Sequence, residues 1–357
     1  MKKNKKIYLV SSGTGGHAAP ILLMYKKLLN TPNFDPTILH SGSDIENKLF
    51  LNTKSKRIIS AKFDRNSTYK KLISYPITLL GIIQAKALLL FKRPDLIFSK
   101  GGYGSVPVLF MARFFKIPYF IHESDSHIGL ANKLFAGKAE KVFLGFPKEV
   151  YNEDVSDEKY KYTGQIVNAL PKIKKEVKKT IYITGGSLGA ESVNGVVYKI
   201  IDKLVDKYKV YHQVGDNNIL KAEEIKSKLD KNEESYKVFG FSAELSKEAF
   251  AKADLVVARA GANTIGEIAK NKKASILIPY PHAAQNHQMK NAKYLEKSGS
   301  AFLIKENNLN EKYLLERIEY ILSNKRNADV LGEKIFKAIK SDGADTVYAE
   351  IIKSNKD

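Results

Sequence analysis

The chain has 357 residues, 43% of them hydrophobic, with 59 Lys and Arg against 38 Asp and Glu for a formal net charge of +21, and it contains no Cys and no Trp. At about 150 residues per domain this length predicts two domains, each apolar enough to bury its own core, and excludes disorder as a description of the whole. The missing Cys excludes disulfide scaffolds, zinc-finger spacings and thiol nucleophiles, and suits a reducing compartment.

The first predicted strand covers residues 7–10; the lysines ahead of it are followed by too few apolar residues for a secretion signal. It runs into Ser11-Ser-Gly-Thr-Gly-Gly-His17, with Pro20 expected in the first turn of the helix that follows, where its missing N–H costs little. Strands are predicted next at 37–40, 95–99, 119–122 and 141–144, with helical patterns between several of them, the rhythm of a parallel sheet covered on both faces. Within this series residues 72–91 are strongly apolar and flanked by Lys70, Lys71, Lys86, Lys92 and Arg93. The uncharged run between Lys71 and Lys86 is shorter than the roughly 20 residues needed to span a bilayer, so the segment reads as a buried core helix or as one lying in a membrane interface. At the end of the strand at 119–122, His122, Glu123, Asp125 and His127 gather groups suited to proton transfer or to hydrogen-bonded anchoring. Residues 1–122 carry 20 Lys and Arg against 5 Asp and Glu, a net +15, whereas the remainder carries only +6. A local basic excess suits nucleic acid, an anionic membrane surface or a phosphorylated substrate, and solvated lysines account for part of it.

A polar stretch at 152–161, then Pro171 and a charged run at 172–179, place the domain boundary near residues 163–170. The pattern restarts with strands at 180–184, 209–213, 236–240, 254–258, 274–279 and 301–304, and turns helical from 311. The strand at 180–184 runs into Gly185-Gly-Ser-Leu-Gly-Ala190, a second strand, glycine loop and helix. Both loops bring backbone N–H groups to the positive end of a helix, a cradle for phosphate. Either alone is also read as a tight turn, and Gly13 to Ala18 fits a dinucleotide pattern with Asp44 as ribose partner. The strand at 254–258 ends in Arg259-Ala-Gly-Ala-Asn-Thr264, with Glu267 one helical turn further on the same face. A carboxylate there suits the two hydroxyls of a ribose, or simply a helix N-terminus. His287, Gln288 and Asn291 follow the next strand and offer groups to sugar hydroxyls, or to turns and caps. The sequence has no Asp-x-Asp, scatters its histidines and lacks G-x-x-x-x-G-K-[ST], so neither a metal site nor a P-loop is predicted.

Taken in order, Gly13-Thr-Gly-Gly-His17 with Pro20, Ser99-Lys-Gly-Gly-Tyr-Gly-Ser-Val-Pro107, His122-Glu-Ser-Asp-Ser-His-Ile-Gly-Leu-Ala-Asn-Lys133, Gly185-Gly-Ser-Leu-Gly-Ala190, Arg259-Ala-Gly-Ala-Asn-Thr-Ile-Gly-Glu267 and His287-Gln-Met-Lys-Asn-Ala292 resemble one family. It is the MurG family of UDP-N-acetylglucosamine:undecaprenyl-pyrophosphoryl-N-acetylmuramoyl-pentapeptide N-acetylglucosaminyltransferases, within glycosyltransferase family 28, and the likeness runs to about residue 305. The resemblance implies an α/β protein of GT-B architecture: two Rossmann-like, doubly wound parallel-sheet domains with an inter-domain cleft. The expected division is 1–165 for the acceptor and membrane side, 166–335 for the donor side, and a C-terminal helix within 336–357 packing back on the first domain. The implied reaction is inverting transfer of N-acetylglucosamine from UDP-N-acetylglucosamine to the 4-hydroxyl of the muramoyl sugar of lipid I, giving lipid II for peptidoglycan synthesis, cell-wall biogenesis and cell division. No metal and no other cofactor is implied.

By the same resemblance donor contacts fall on Thr14, Gly15, Gly16, His17, Asp125, Asn168, Ser187, Glu267, His287 and Gln288. Gly13, Gly15, Gly16, Gly185, Gly186 and Gly189 form the phosphate loops, and His17 is the candidate base or else a phosphate ligand, with Asp125 as a second catalytic candidate. Lys70, Lys71, Leu79, Leu80, Ile83 and Lys86 form the expected patch on an anionic membrane, placing a peripheral enzyme on the cytoplasmic face. The chain departs from the family at Gly164-Gln-Ile-Val-Asn168, where Asn168 stands in place of an arginine; Asp125 replaces a common Asn and Leu188 a common Gln. The competing readings are a UDP-sugar-dependent glycolipid synthase, a dinucleotide-dependent oxidoreductase and a non-catalytic nucleic-acid-binding protein. The second glycine loop and Glu267 argue against the oxidoreductase, and paired phosphate loops argue against nucleic acid as partner.

Overall fold

The protein is described by a computed structural model covering residues 4–13, 15–61, 68–170, 178–229 and 234–354, with the backbone alone for 68–72. The chain divides into two compact units: residues 1–167 with 342–357, and residues 168–341. The crossings therefore lie at Val167/Asn168 and Ser341/Asp342, rather than after residues 165 and 335.

The first unit carries a seven-stranded parallel sheet in the order β3-β2-β1-β4-β5-β6-β7. Its strands are β1 (Lys5–Val10), β2 (Phe34–His40), β3 (Ser55–Arg57), β4 (Leu96–Ser99), β5 (Tyr119–Glu123), β6 (Lys141–Leu144) and β7 (Tyr160–Tyr162). Central strands of such a sheet are covered on both faces and so read as unbroken apolar runs. Ile7, Leu9, Ile38, Leu96, Phe98, Phe120 and Phe143 accordingly meet in one core with Ile21, Met24 and Leu28 of α1 (Gly15–Leu29). The strand order reverses between β1 and β4, where Val10 stands beside Ser99, and the carboxyl ends of strands at such a switch point are where open α/β sheets bind ligands. Pro20 sits in the second turn of α1, not the first, so the helix forgoes the intrahelical bond to the Gly16 carbonyl.

Three further helices, α2 (Asp44–Phe50), α3 (Thr68–Phe91) and α4 (Val106–Phe114), and the short α5 (Leu130–Ala136) complete the layers around this sheet. The helix that returns from the C-terminus is α13 (Gly343–Lys353). Ala344, Val347 and Ile351 enter the core beside α1, Lys27 pairs with Asp345 at 2.7 Å, and Glu350 receives Lys141 and Lys161.

The second unit has a six-stranded parallel sheet in the order β10-β9-β8-β11-β12-β13. The strands are β8 (Thr180–Thr184), β9 (Lys209–Gln213), β10 (Tyr236–Phe239), β11 (Leu255–Ala258), β12 (Ala274–Leu277) and β13 (Phe302–Leu303). The helices are α6 (Glu191–Lys207), α7 (Ile219–Lys226), α8 (Ala243–Lys252), α9 (Ala262–Lys270), α10 (His287–Lys297), α11 (Glu311–Ser323) and α12 (Lys325–Ala338). Val193, Val197, Ile200, Ile201 and Leu204 recur at helical spacing along α6 and meet Ile181, Ile183, Val257 and Ile276 of the sheet. Here the order reverses between β8 and β11, with Thr184 beside Ala258. Each glycine loop thus leaves a strand at the switch point of its own sheet.

Candidate active site

In the first unit the loop after β1 is closed by its neighbour after β4. The Gly104 N–H donates to Ser12 Oγ at 2.8 Å, and a side chain added at Gly102 would meet Ser12 Oγ and lie 3.0 Å from His17 Cε1. Gly13 has φ +67°, which favours glycine, and an added Cβ would fall 2.3 Å from the Tyr103 hydroxyl, so the tyrosine ring would have to shift. Gly15 and Gly16 do not lie in the loop: they open α1, so of the three expected phosphate-loop glycines here only Gly13 bends the chain. Thr14 lies outside the described residues.

His17 is half-buried, with Nδ1 2.7 Å from the Ser12 carbonyl. A carbonyl only accepts, so the neutral ring carries its proton on Nδ1 and its lone pair on Nε2. Burial lowers the proton affinity of His17 and outweighs the Ser12 bond that favours the charged ring; the Lys100 charge lowers it further. The neutral form therefore prevails at neutral pH.

Beneath the loop after β4 lies a buried polar cluster. Lys100 is 2% exposed, and its ammonium donates to His122 Nδ1 at 2.7 Å and to Ser124 Oγ. His122 donates in turn from Nε2 to the Gly164 carbonyl at 3.0 Å. Both ring nitrogens are thereby committed, so His122 is an anchor and not a proton carrier. Glu123 accepts from the N–H groups of Asp125 and Gly129 and from Asn132 Nδ2, at 2.8–3.0 Å, which ties down residues 124–132. Burial lowers the affinity of Lys100 for its proton, partly restored by Glu123 and Asp125; burial and Asp125 raise that of Glu123 against its hydrogen bonds. Asp125 is fixed through its backbone, its N–H on Glu123 and its carbonyl accepting the Tyr151 hydroxyl at 2.8 Å. His127 pairs with Glu153 at 2.7 Å.

Glu46 also belongs to this loop system, although no sequence motif above includes it. Fully buried at the start of α2, it accepts from Ser41 Oγ at 2.6 Å and from the N–H groups of Gly42 and Ser43, forming a capping box with Ser43. Burial would raise its carboxyl, but these hydrogen bonds prevail and hold it below the usual range. Ser41 also meets the Tyr103 hydroxyl at 3.2 Å, which links this carboxylate to the loop at Gly13.

In the second unit the loop after β8 winds through Gly186 (φ +84°) and Gly189 (φ +76°). The Gly186 N–H is taken by Thr184 Oγ1 and that of Gly189 by the Gly186 carbonyl, while the first N–H groups of α6 have no partner inside the helix. An anion set there faces the positive helix end, and Ser187, half-buried, belongs to the same loop. Beside it, Arg259 at the end of β11 donates to the carbonyls of Ile278 and Pro279 and to Ser192 Oγ at 3.0–3.3 Å, pairs with Glu306 and lies over the Tyr280 ring. It ties the ends of β11 and β12 to the start of α6. The Tyr280 N–H donates to Gln288 Oε1 at 2.9 Å, which turns the Gln288 amide nitrogen away as a donor. His287 donates from Nδ1 to the Ala284 carbonyl at 2.7 Å and so keeps its lone pair on Nε2. Glu267 projects from α9; the protein around it raises its affinity for a proton, a shift limited by the exposure of the side chain, which keeps its solvating water. β8, β11 and β12 are adjacent, so Ser187, Glu267, His287 and Gln288 follow neighbouring strand ends in one sheet. Asn168, exposed, is the first residue of this unit.

Models of two glycosyltransferase family 28 domains match the chain, the N-terminal domain over residues 7–144 and the C-terminal domain over 180–347. The chain belongs to glycosyltransferase family 28. Among family 28 relatives, proteins of Clostridium perfringens and Clostridium botulinum are 34% and 33% identical over 90% of this chain and 92% of their own length. Both are named UDP-N-acetylglucosamine–N-acetylmuramyl-(pentapeptide) pyrophosphoryl-undecaprenol N-acetylglucosamine transferase. The crystal structure of Acinetobacter baumannii MurG is similar to this fold with a TM-score of 0.76 at 24% identity, over 98% of this chain and 99% of that one. The two parallel-sheet domains are those of the GT-B class.

On the first unit, α3 is long and apolar enough over Ile73–Phe91 to cross a membrane by length and composition, yet one face of it is docked. Gly81 packs directly on the Ile59 carbonyl, Gln84 pairs with the backbone of Ile59 and Arg57, and Ala85 and Leu89 are buried. The other face leaves Leu79, Leu80 and Ile83 more than half exposed, at 55–57%, with Lys86 also exposed. Phe110 and Phe114 of α4 are exposed as well. The side chains of Lys70 and Lys71 lie outside the described residues.

Proposed function

We infer that this family 28 enzyme transfers N-acetylglucosamine from UDP-N-acetylglucosamine to the 4-hydroxyl of the undecaprenyl-pyrophosphate-linked N-acetylmuramoyl-pentapeptide, inverting the anomeric centre. The observation that carries the reading is the pair of glycine loops, each opening a helix at the switch point of its sheet, in a chain whose relatives bear that transferase name over nine-tenths of its length. In the proposed reaction the acceptor oxygen attacks the anomeric carbon from the face opposite UDP. The new carbon–oxygen bond forms as the bond to the β-phosphate oxygen breaks, and that oxygen keeps the electron pair. His17 Nε2 takes the hydroxyl proton; the Ser12 carbonyl fixes the ring and accepts from Nδ1 throughout. The leaving diphosphate is met by the N–H groups at the start of α6, which have no partner inside the helix, and by the positive helix end, with no metal or other cofactor required. Glu267 accepts from the ribose, and His287 and Gln288 meet the transferred sugar.

The exposed apolar face of α3, with Lys86 and the +15 of residues 1–122, supports a second part of the reading: the enzyme docks peripherally on the anionic cytoplasmic leaflet that holds its acceptor. Thermal unfolding with added UDP-N-acetylglucosamine, NADH or an oligonucleotide tests the donor half, because a ligand of the native state raises apparent stability. Stabilisation by UDP-N-acetylglucosamine is expected; stabilisation by NADH or the oligonucleotide alone contradicts it.

A further inference from the structure

We propose that His212, clasped between Tyr236 and Asn194 in the core of the second unit, is a positioning residue for the diphosphate loop. The proposal rests on the donor reading above and adds to it the element that sets the loop.

The Val214 carbonyl fixes one end of a hydrogen-bonded chain. Asn194 Nδ2 lies 2.9 Å from the Val214 oxygen, which only accepts, so the amide nitrogen faces that oxygen and Oδ1 faces away. Oδ1 lies 3.0 Å from His212 Nε2, so that nitrogen carries the proton. Nδ1 is then the acceptor, and the Tyr236 hydroxyl, 2.8 Å away, donates to it. The chain from Tyr236 to His212 to Asn194 to Val214 has a single consistent proton arrangement, with every link satisfied. Burial, which leaves His212 fully inaccessible and lowers its proton affinity to about 3, keeps the ring in the neutral state that this arrangement needs.

The chain ends where the loop closes. A Cβ at Gly189 would fall 2.0 Å from the Val214 oxygen, and one at Gly215 would fall 2.4 Å from the Leu188 oxygen, so the loop and the turn after β9 pack backbone on backbone. Asn194 stands in the first turn of α6, the helix whose N-terminus faces the loop. The polar chain therefore binds three parts of the anion cradle to one another: the end of β9, the glycine loop and the first turn of α6. Apolar side chains at these positions would fill the same volume but leave the Val214 carbonyl only the longer bond from Asn218 Nδ2, at 3.3 Å, and a buried polar chain is stable only when each member is satisfied.

The test compares UDP binding and turnover in the wild type, His212→Leu, His212→Gln and Tyr236→Phe. His212→Leu is expected to weaken UDP binding by about tenfold or more, with kcat at saturating donor and KM for the acceptor within about threefold of wild type. His212→Gln, whose amide both donates and accepts, is expected to recover most of the loss. In the wild type, nitrogen NMR is expected to show the His212 proton on Nε2 at neutral pH. A folded His212→Leu variant that binds UDP like the wild type, or a proton on Nδ1, overturns the proposal. Should His212→Leu fail to fold, Tyr236→Phe decides: weaker UDP binding supports the proposal, unchanged binding overturns it. A wild type that binds no UDP while its His212 proton sits on Nε2 would sink the donor reading, not the hydrogen-bond chain.

Discussion

The donor loop offers a perturbation whose size follows from the geometry. Gly189 has φ +76°, which costs an alanine about 1–2 kcal/mol, and its added Cβ would lie 2.0 Å from the Val214 oxygen. Ordinary contact begins at 3.4 Å, so in Gly189→Ala the loop and the turn must part by about 1.4 Å. Displacements of about 1 Å at a binding constellation cost on the order of a hundredfold, so UDP affinity should fall between about tenfold and a hundredfold, or about 1.4–2.8 kcal/mol. Two neighbouring glycines separate strain from collision. Gly186 has φ +84° but open space around it, so Gly186→Ala should cost stability by strain alone and weaken UDP less. Gly195 lies inside α6 with nothing in the way, and Gly195→Ala should stabilise by about 0.5–1 kcal/mol. Titration calorimetry with UDP and urea unfolding followed by circular dichroism read the three variants. If Gly189→Ala binds UDP as well as Gly186→Ala does, the loop is not held against Val214 as argued.

His17→Ala should lower kcat by more than about tenfold in a steady-state assay, and a smaller loss would remove its role as base. Because burial lowers the proton affinity of His17, the base form persists to lower pH than for a free histidine, and the acidic limb of kcat/KM should lie below about pH 6.5; a limb at or above that value contradicts the assignment. Lys100→Met would strip His122 Nδ1 and Ser124 Oγ of their buried donor, which should cost about 1–3 kcal/mol in urea unfolding; an unchanged midpoint would show that the cluster does not hold the loop after β4. Leu80→Glu with Ile83→Glu should reduce binding to anionic vesicles in a flotation assay while UDP affinity stays the same, and high salt should release the wild type; vesicle binding unaffected by both would place docking elsewhere.

The central strands were legible because a strand covered on both faces carries an apolar run, as 7–10, 142–144 and 181–183 do. β3, Ser-Lys-Arg, and β7, Tyr-Lys-Tyr, escaped for the converse reason: edge strands are short and polar, and 160–162 lay hidden in a stretch that reads as a linker. The glycine loops were legible as motifs, but where the helix starts was not, so Gly15 and Gly16 were expected in the loop and Pro20 a turn too early. His122 stood open between proton transfer and anchoring because its commitments are distant: Lys100 is 22 residues away and Gly164 is 42. Glu46 carried a readable signal in Ser43-Asp-Ile-Glu46, a capping box, whereas the meeting of His212, Asn194 and Tyr236 depends on strand order and leaves no local trace. The second boundary moved because α12 stays with the second unit, which leaves α13 alone to return to the first.

Transfer itself is tested most directly by incubating the enzyme with UDP-N-acetylglucosamine and a lipid I analogue in detergent and following UDP release together with the mass of the lipid product. UDP release should depend on that acceptor, with the acceptor gaining one N-acetylhexosamine in β linkage. Release without acceptor, release driven instead by diacylglycerol, or no transfer to the muramoyl sugar would contradict the proposed reaction.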